Sequence, residues 1–358
     1  MTESNTQNLL QQITELSHEF GSELYVRGGG GNTSVKNETT LWVKPSGTTL
    51  KGLTIDSFIA MDRAKMAKLY DAPCPSEPAQ RETLVKDMMA DSILPTSSGR
   101  ASVEAPLHES LENTFVVHTH PALVNGMTCA KDGAKVCGEI FPDALWIDYI
   151  DPGYTLCMKV RKDIQDYSKK HGTGPSLIFL KNHGVFVAGD TQLQIRQLYS
   201  GVITKLRNEY EKKNVSTEFT VSDMPTDVDV ESMSRQICDL ADCKFTSCSG
   251  LYGYINGPVT PDHIVYAKSY LFVGTPSEAK IKDFQSKHGY VPTIIVWDNV
   301  VFGLGQTQVK ADIALELSKD AAFVAQLTEA FGSLELMTDD ARGFIENWEV
   351  ESYRSKQL

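Results

Sequence analysis

Val116-Val117-His118-Thr119-His120-Pro121 is the stretch from which the rest of the chain is read. A valine-rich run favours extended structure, and successive side chains of a strand point to opposite faces. Residues two apart share a face, so His118 and His120 project together at the end of the run. Neutral imidazoles in that arrangement chelate a borderline divalent metal such as zinc, iron or copper. The same pair also fits a plain polar patch, so the remainder of the sequence has to complete the site.

With 358 residues the chain is long enough for two domains, each with its own core. Hydrophobic residues make up 41% and charged residues 22%, as in ordinary globular proteins. No apolar run approaches the roughly 18–20 residues that cross a bilayer. The first residues lack the basic and apolar segments of a secretory signal. The seven cysteines are scattered and odd in number, which suits reduced thiols. A cytoplasmic protein is the expectation. A net charge of −12 disfavours nonspecific nucleic-acid binding and leaves room for a local basic pocket.

Leu9, Leu10, Ile13, Leu16 and Phe20 recur at helical spacing until Gly21. Residues 27–34 (RGGGGNTS) read as a loop whose glycine amides can converge on an anion, with Asn32, Thr33 and Ser34 as neutral partners. Residues 40–43 read as a strand entering the turn Lys44-Pro45-Ser46-Gly47, a second candidate anion grip. Ser102 is placed as the cap of a short helix carrying Glu104 in its first turn. That helix leads into the His-Thr-His strand. Residues 122–137 are predicted helical, 144–150 a strand, and 156–170 a helix. A buried strand over 176–180 then turns through Lys181-Asn182-His183-Gly184 into 185–189. Residues 190–213 form a long helix. The domains expected are 1–212, a polar linker over 213–229, and 230–358.

The second domain carries an internal repeat. Residues 166–175 (DYSKKHGTGP) followed by SLIFL return as 283–292 (DFQSKHGYVP) followed by TIIVW. Gly189-Asp190-Thr191-Gln192 returns as Gly305-Gln306-Thr307-Gln308. The place of His183 is Asn299 or Val300, depending on where the gap falls, and neither suits zinc. The second domain is therefore expected to be a smaller α/β unit without a metal site. Its apolar pair over 294–297 and 300–302 is expected to need cover from the first domain or another subunit, because the helix from Thr307 and the Trp348 tail cannot shield both faces.

His118, His120, His183 and Glu104 together offer ligands suited to zinc, and three histidines with an exchangeable fourth position describe a catalytic site. Glu104 and His108, at i and i+4, form a rival ligand pair, with helix packing the competing role for His108. No Gly-x-Ser-x-Gly elbow or Walker sequence is present. A three-histidine metal, a carboxylate and two anion grips suit cleavage of a phosphorylated ketose through a metal-stabilised enediolate. In that chemistry the carboxylate moves protons and the loops hold the phosphate.

Gly31-Asn32-x-Ser34, Pro45-Ser46-Gly47, Ser102-x-Glu104 with His108, His118-x-His120 and Asn182-His183-Gly184 resemble the class II aldolase/adducin family in order and spacing. The resemblance implies an α/β/α sandwich around a mainly antiparallel sheet, commonly a C4 tetramer with sites between subunits. It implies Zn2+ on His118, His120 and His183, Glu104 as acid/base, and Tyr149 as a proton donor reaching a neighbouring subunit. The phosphate residues implied are Gly31, Asn32, Ser46, Gly47 and Ser102. Val103 stands where simple fuculose-phosphate aldolases carry a hydroxyl. Residues 148–153 (DYIDPG) and 344–349 (FIENWE) resemble the aldolase half of bifunctional rhamnulose-phosphate aldolase/alcohol dehydrogenases. No Gly-x-Gly-x-x-Gly opens a Rossmann unit in this sequence. The activity implied is a rhamnulose- or fuculose-1-phosphate type aldolase yielding dihydroxyacetone phosphate and an aldehyde. Relatives on the same scaffold epimerise, decarboxylate or dehydrate sugar phosphates, and adducin heads keep the fold as binding proteins.

Overall fold

The computed structural model describes residues 3–73 and 75–348, so Glu349, the last residue of the FIENWE segment, lies outside the described residues. The chain forms two compact units. One holds the residues up to Val124 and Gly133–Leu206, and the other holds Asn125–Asp132 and the chain from Arg207 onward. The division expected at 212 crosses this boundary, because a short internal segment is given up to the second unit.

The elements up to the end of the long helix are α1 (Glu3–Phe20), β1 (Asn32–Lys36), β2 (Thr40–Val43), β3 (Ile59–Asp62), α2 (Arg63–Asp71), α3 (Pro78–Ser92), α4 (Ala105–Ser110), β4 (Phe115–Thr119), α5 (Ala122–Thr128), α6 (Gly133–Ile140), β5 (Leu145–Ile147), α7 (Tyr154–His171), β6 (Leu177–Leu180), β7 (Gly184–Gly189) and α8 (Gln192–Lys212). The seven strands form one sheet in the order β3-β2-β1-β4-β7-β6-β5. Every pairing is antiparallel except β5 with β6. This is the mainly antiparallel sheet that the family resemblance implied.

Helices cover both faces, which is why β4 and β7 are buried at every position. On one face the Tyr199 hydroxyl of α8 donates to the Val117 carbonyl at 3.2 Å and lies 2.8 Å from the Thr119 hydroxyl. The Tyr199 ring stacks on Phe20 of α1 at 4.2 Å. On the other face Val116, Ile178, Leu180 and Phe186 pack with Leu107 of α4 and Leu156, Val160 and Ile164 of α7. Each such buried side chain contributes about 1.5–3 kcal/mol before the entropy of ordering it. His118 follows Val116 by two residues and so faces α4, in line with the strand period.

Three local expectations change. Asn32, Thr33 and Ser34 open β1 instead of lying in a loop, because their register partners on β4, His118, Val117 and Val116, give them a ladder. The predicted helix over 122–137 breaks into α5 and α6. Between them the backbone of residues 129–132 pairs with 331–335, through Glu335 N to Cys129 O at 2.8 Å and Asp132 N to Phe331 O at 3.1 Å. Ser102 does not cap α4. Glu104 itself occupies the cap position, and its N–H donates to Ser102 Oγ at 3.2 Å.

The second unit continues with α9 (Val230–Ala241), β8 (Phe245–Gly250), α10 (Pro261–Ala267), β9 (Phe272–Val273), α11 (Glu278–His288), β10 (Ile294–Trp297), β11 (Val300–Gly305), α12 (Gln308–Thr328) and α13 (Asp339–Asn347). Its sheet runs β8-β11-β10-β9, antiparallel except for β9 with β10. That is the order and sense of β4-β7-β6-β5. The registers superimpose as well: Ile178 pairs with Phe186 as Ile295 pairs with Phe302, and His118 meets Phe186 as Cys248 meets Phe302. Cys248 therefore stands at the position of His118, and Gly250 at that of His120. Val300 aligns with Gly184, so Asn299, the residue before it, stands in the place of His183. The second hairpin turns through two residues, Asp298 and Asn299, at φ 47° and 63°. This is a type I′ turn, one residue shorter than Lys181-Asn182-His183.

The expectation that this domain's apolar pair needs outside cover does not hold. Ile295, Phe302 and Leu304 pack under Ile237 of α9 and Phe284 of α11. Ile294, Val296 and Val301 pack under Ala314 and Leu317 of α12 with Ala267 of α10. The sequence reading overlooked α9 and α11 as the second cover.

Candidate active site

His118 and His120 leave the end of β4, and His183 sits in the turn before β7, next to the β4 end in the sheet. Gly184 permits that approach, because a Cβ there would lie 2.4 Å from the Thr119 carbonyl oxygen. Gly31, at φ 71°, passes equally close behind the site, where a Cβ would stand 3.0 Å from the His118 carbonyl oxygen. The Nε2 atom of His118 lies 3.0 Å from His120 Nε2 and 3.4 Å from His183 Nε2.

The His118 ring is fixed twice. It stacks on Phe186 with centroids 3.9 Å apart and planes 9° from parallel. Its Nδ1 lies 2.9 Å from the Val185 carbonyl, which only accepts, so Nδ1 carries the proton and Nε2 presents a lone pair. A tetrahedral ion with bonds of about 2.0–2.1 Å holds its ligand nitrogens about 3.3 Å apart. The spacing found here fits that requirement. Among the described residues these three histidines form the group able to hold a metal ion.

Glu104 completes the cluster. One carboxylate oxygen is 3.3 Å from His118 Nε2 and 3.7 Å from His183 Nε2. The other accepts from Asn32 Nδ2 at 3.4 Å. Burial alone would raise this carboxyl, but the surrounding histidines, His118 foremost, hold it well below the usual range. It is a carboxylate, ready to accept a proton.

The proposed phosphate residues are tied into the same cluster by bonds. Asn32 Nδ2 donates to Ser102 Oγ. The turn holding Ser46 and Gly47 is drawn alongside by Ser102 N to Lys44 O at 3.2 Å and Ser46 N to Arg100 O at 2.9 Å. Gly47, at φ 80°, gives that turn its left-handed residue. Asn32 Oδ1 has no protein partner among the described residues, an acceptor left for a ligand or water.

His108 is fully buried and does not join the metal group. Its Nδ1 is hydrogen-bonded to Ser34 Oγ at 2.7 Å, and its ring meets the edge of Phe186. Burial pushes it down to about 3, so it is neutral. Lys36, buried beside it, donates to the His108 and Leu111 carbonyls and so closes the C-terminal end of α4, opposite the end that carries Glu104. Tyr149 lies beyond the end of β5, half-buried, with its hydroxyl donating to Asp151 at 3.2 Å. Burial, then Asp151, raises it above the usual phenol range. Sequence reasoning missed Phe186 and the Val185 carbonyl. Strand parity could have found the former, since Phe186 is the register partner of His118.

Among the described residues no helix is long and apolar enough to cross a membrane. A relative from Bacillus subtilis (strain 168), described as the uncharacterized oxidoreductase YuxG, is 26% identical over 194 residues. The match covers 51% of this chain and 27% of the relative, so the chain spans about a quarter of that relative's length. The N-terminal class II aldolase domain of a conserved protein from Thermoplasma acidophilum is 23% identical, covers 56% of this chain and 92% of its own, and gives a TM-score of 0.48. The l-fuculose-1-phosphate aldolase from Thermus thermophilus is 13% identical, covers 57% and 95%, and gives 0.38. The profile of the class II aldolase and adducin N-terminal domain matches residues 11–200, which contain every residue of the cluster. The chain belongs to the class II aldolase and adducin N-terminal domain family.

Proposed function

We propose that the chain is a metal-dependent aldehyde-lyase. It cleaves a ketose 1-phosphate of the rhamnulose or fuculose type into dihydroxyacetone phosphate and an aldehyde. The observation that carries this reading is a carboxylate 3.3 Å from a histidine of a triad whose spacing fits a tetrahedral ion. His118, His120 and His183 would hold the ion, zinc in this reading, and when bound it supplies Lewis-acid polarisation of adjacent substrate oxygens. Glu104 takes the proton released as the carbon–carbon bond breaks and returns it. Gly31, Asn32, Ser46, Gly47 and Ser102 hold the phosphate. Asn32 also orients Glu104 through the bond to its carboxylate. Tyr149, reaching from a neighbouring subunit of a cytoplasmic homotetramer, passes its proton to the departing fragment and recovers one from Glu104. Residues 230–358 are catalytically silent, since Cys248 and Gly250 replace two of the ligands and Asn299 stands in place of the third.

Metal analysis of the purified protein, followed by a screen of ketose 1-phosphates with coupled detection of dihydroxyacetone phosphate, tests the reading. One divalent ion per chain and release of that triose phosphate are expected. A metal-loaded protein that instead epimerises, decarboxylates or dehydrates a sugar phosphate would replace the aldolase assignment. A folded protein that takes up no metal would overturn the site itself.

A further inference from the structure

The sulfurs of the second unit include one pair in contact. Among the described residues Cys129, Cys137 and Cys157 are buried, and Cys248 is exposed on β8. The Sγ atoms of Cys238 and Cys243 lie 3.4 Å apart. The end of α9 builds this contact. The helix stops at Asp242 in the left-handed conformation, φ 47° and ψ 44°. Cys243 N then donates back to the Cys238 carbonyl at 3.3 Å. That closure folds the chain over the last turn, so residues five apart face each other. Ile237, Ala241 and Cys243 are anchored in the same apolar cluster, which holds the arrangement in place.

We propose that Cys238 and Cys243 are a modification site that closes to an intramolecular disulfide by exchange with a small disulfide such as glutathione disulfide. In the first step one protein thiolate attacks a glutathione sulfur, the S–S bond breaks, and one glutathione thiolate leaves. In the second, the other cysteine loses its proton to solvent and its sulfur displaces the remaining glutathione. Two protein thiols are oxidised and one disulfide is reduced to two thiols. The sulfurs have to close from 3.4 Å to about 2.0 Å. Burial, and then the Cys238 thiol beside it, pushes the Cys243 thiol up, so exchange is slow at neutral pH and quickens in mild alkali. Cys243 also lines a cavity of about 440 Å³ with Asp242, Tyr266, Lys268 and Lys310. Disulfide formation would pull that wall toward α9.

A tryptic digest reads the outcome directly, because residues 236–244 (QICDLADCK) carry both cysteines and no internal cleavage site. The folded full-length protein is treated with glutathione disulfide at mildly alkaline pH, quenched in acid, denatured with an alkylating agent, and digested. The expected 236–244 peptide is lighter by two hydrogens and unalkylated, while exposed Cys248 carries a glutathione adduct. In Cys243→Ser the same peptide is expected to carry glutathione on Cys238 and no cross-link. A doubly alkylated wild-type peptide alongside converted Cys248, or a peptide that stops at a glutathione adduct, would overturn the proposal.

Discussion

Glu104 and Lys36 are both buried charged residues, yet their surroundings assign them opposite duties. Glu104 is kept as a carboxylate by the histidines around it, and Asn32 holds its second oxygen. Glu104→Gln preserves shape and the reach to Asn32 but removes the proton acceptor. Metal content is expected to stay at the wild-type level while turnover falls at least about 10²-fold, the scale of a lost general acid/base. Near-normal turnover in that variant would move the base to another group. Lys36 donates to two backbone carbonyls, and burial pushes it from the ordinary lysine value of 10.5 down to about 7. Between those two pH values the unfolded chain binds a proton that the folded chain does not. Its contribution to stability therefore rises with pH across that window. Lys36→Met abolishes this dependence. The unfolding free energy of wild type relative to the variant is expected to rise by about 2 kcal/mol between pH 7 and pH 9. Urea titrations of both proteins at the two pH values measure it, and a flat difference would show that Lys36 stays protonated when folded.

At the scale of elements, the site hangs on the β4 end and the turn into β7, joined where Gly184 lies against Thr119. Gly184→Ala places a methyl 2.4 Å from a backbone oxygen and 2.8 Å from the His120 ring, so either the ladder or His120 must shift. Overpacking of this kind costs about 1–3 kcal/mol. The variant is expected to melt lower and to bind zinc more weakly, checked by calorimetry and competitive metal titration; unchanged affinity would detach the turn from the metal site. The parts of this assembly that were legible in the sequence are those that local rules govern. A valine run with a two-residue period places His118 and His120 on one face, and Asn182-His183-Gly184 marks a turn between two apolar strands. What was hidden depended on distant chain. Asn32, Thr33 and Ser34 follow four glycines and read as loop until β4 supplies their ladder. The helix over 122–137 carries a turn signal in Asp132-Gly133, but the pairing of residues 129–132 with 331–335 that sets the break cannot be read locally. Sequence alignment of the repeat left the gap by His183 open because both hairpin tips contain asparagine. Strand register closes it, since an I′ turn needs both Asp298 and Asn299 at positive φ.

For the whole molecule, the question is whether the second unit can be removed. A cut near Asp223, in the extended segment before α9, would be the natural choice if the chain divided once. It does not divide once. Residues 125–132 run from within α5 to the start of α6, yet their packing belongs to the second unit. The backbone of 129–132 pairs with 331–335, and a Cβ at Gly126 would touch both the Tyr210 hydroxyl and Leu327. Tyr210 is fully buried and stands 5.1 Å from the Phe331 ring. A fragment ending at residue 222 would keep Gly126, Cys129 and Tyr210 but lose Leu327, Phe331 and the strand-like partner of residues 129–132. Uncovering a buried tyrosine and several backbone groups at once costs several kcal/mol, a large share of a domain's net stability. The fragment is therefore expected to be less soluble, to melt well below the full chain, and to bind metal poorly for want of a stable fold. Co-expression with residues 223–358 should restore it by mass action. Sedimentation, thermal melts and metal content of the fragment, alone and co-expressed, decide the matter. A fragment that alone keeps the solubility, assembly state and metal of the full chain would make the second unit an appendage.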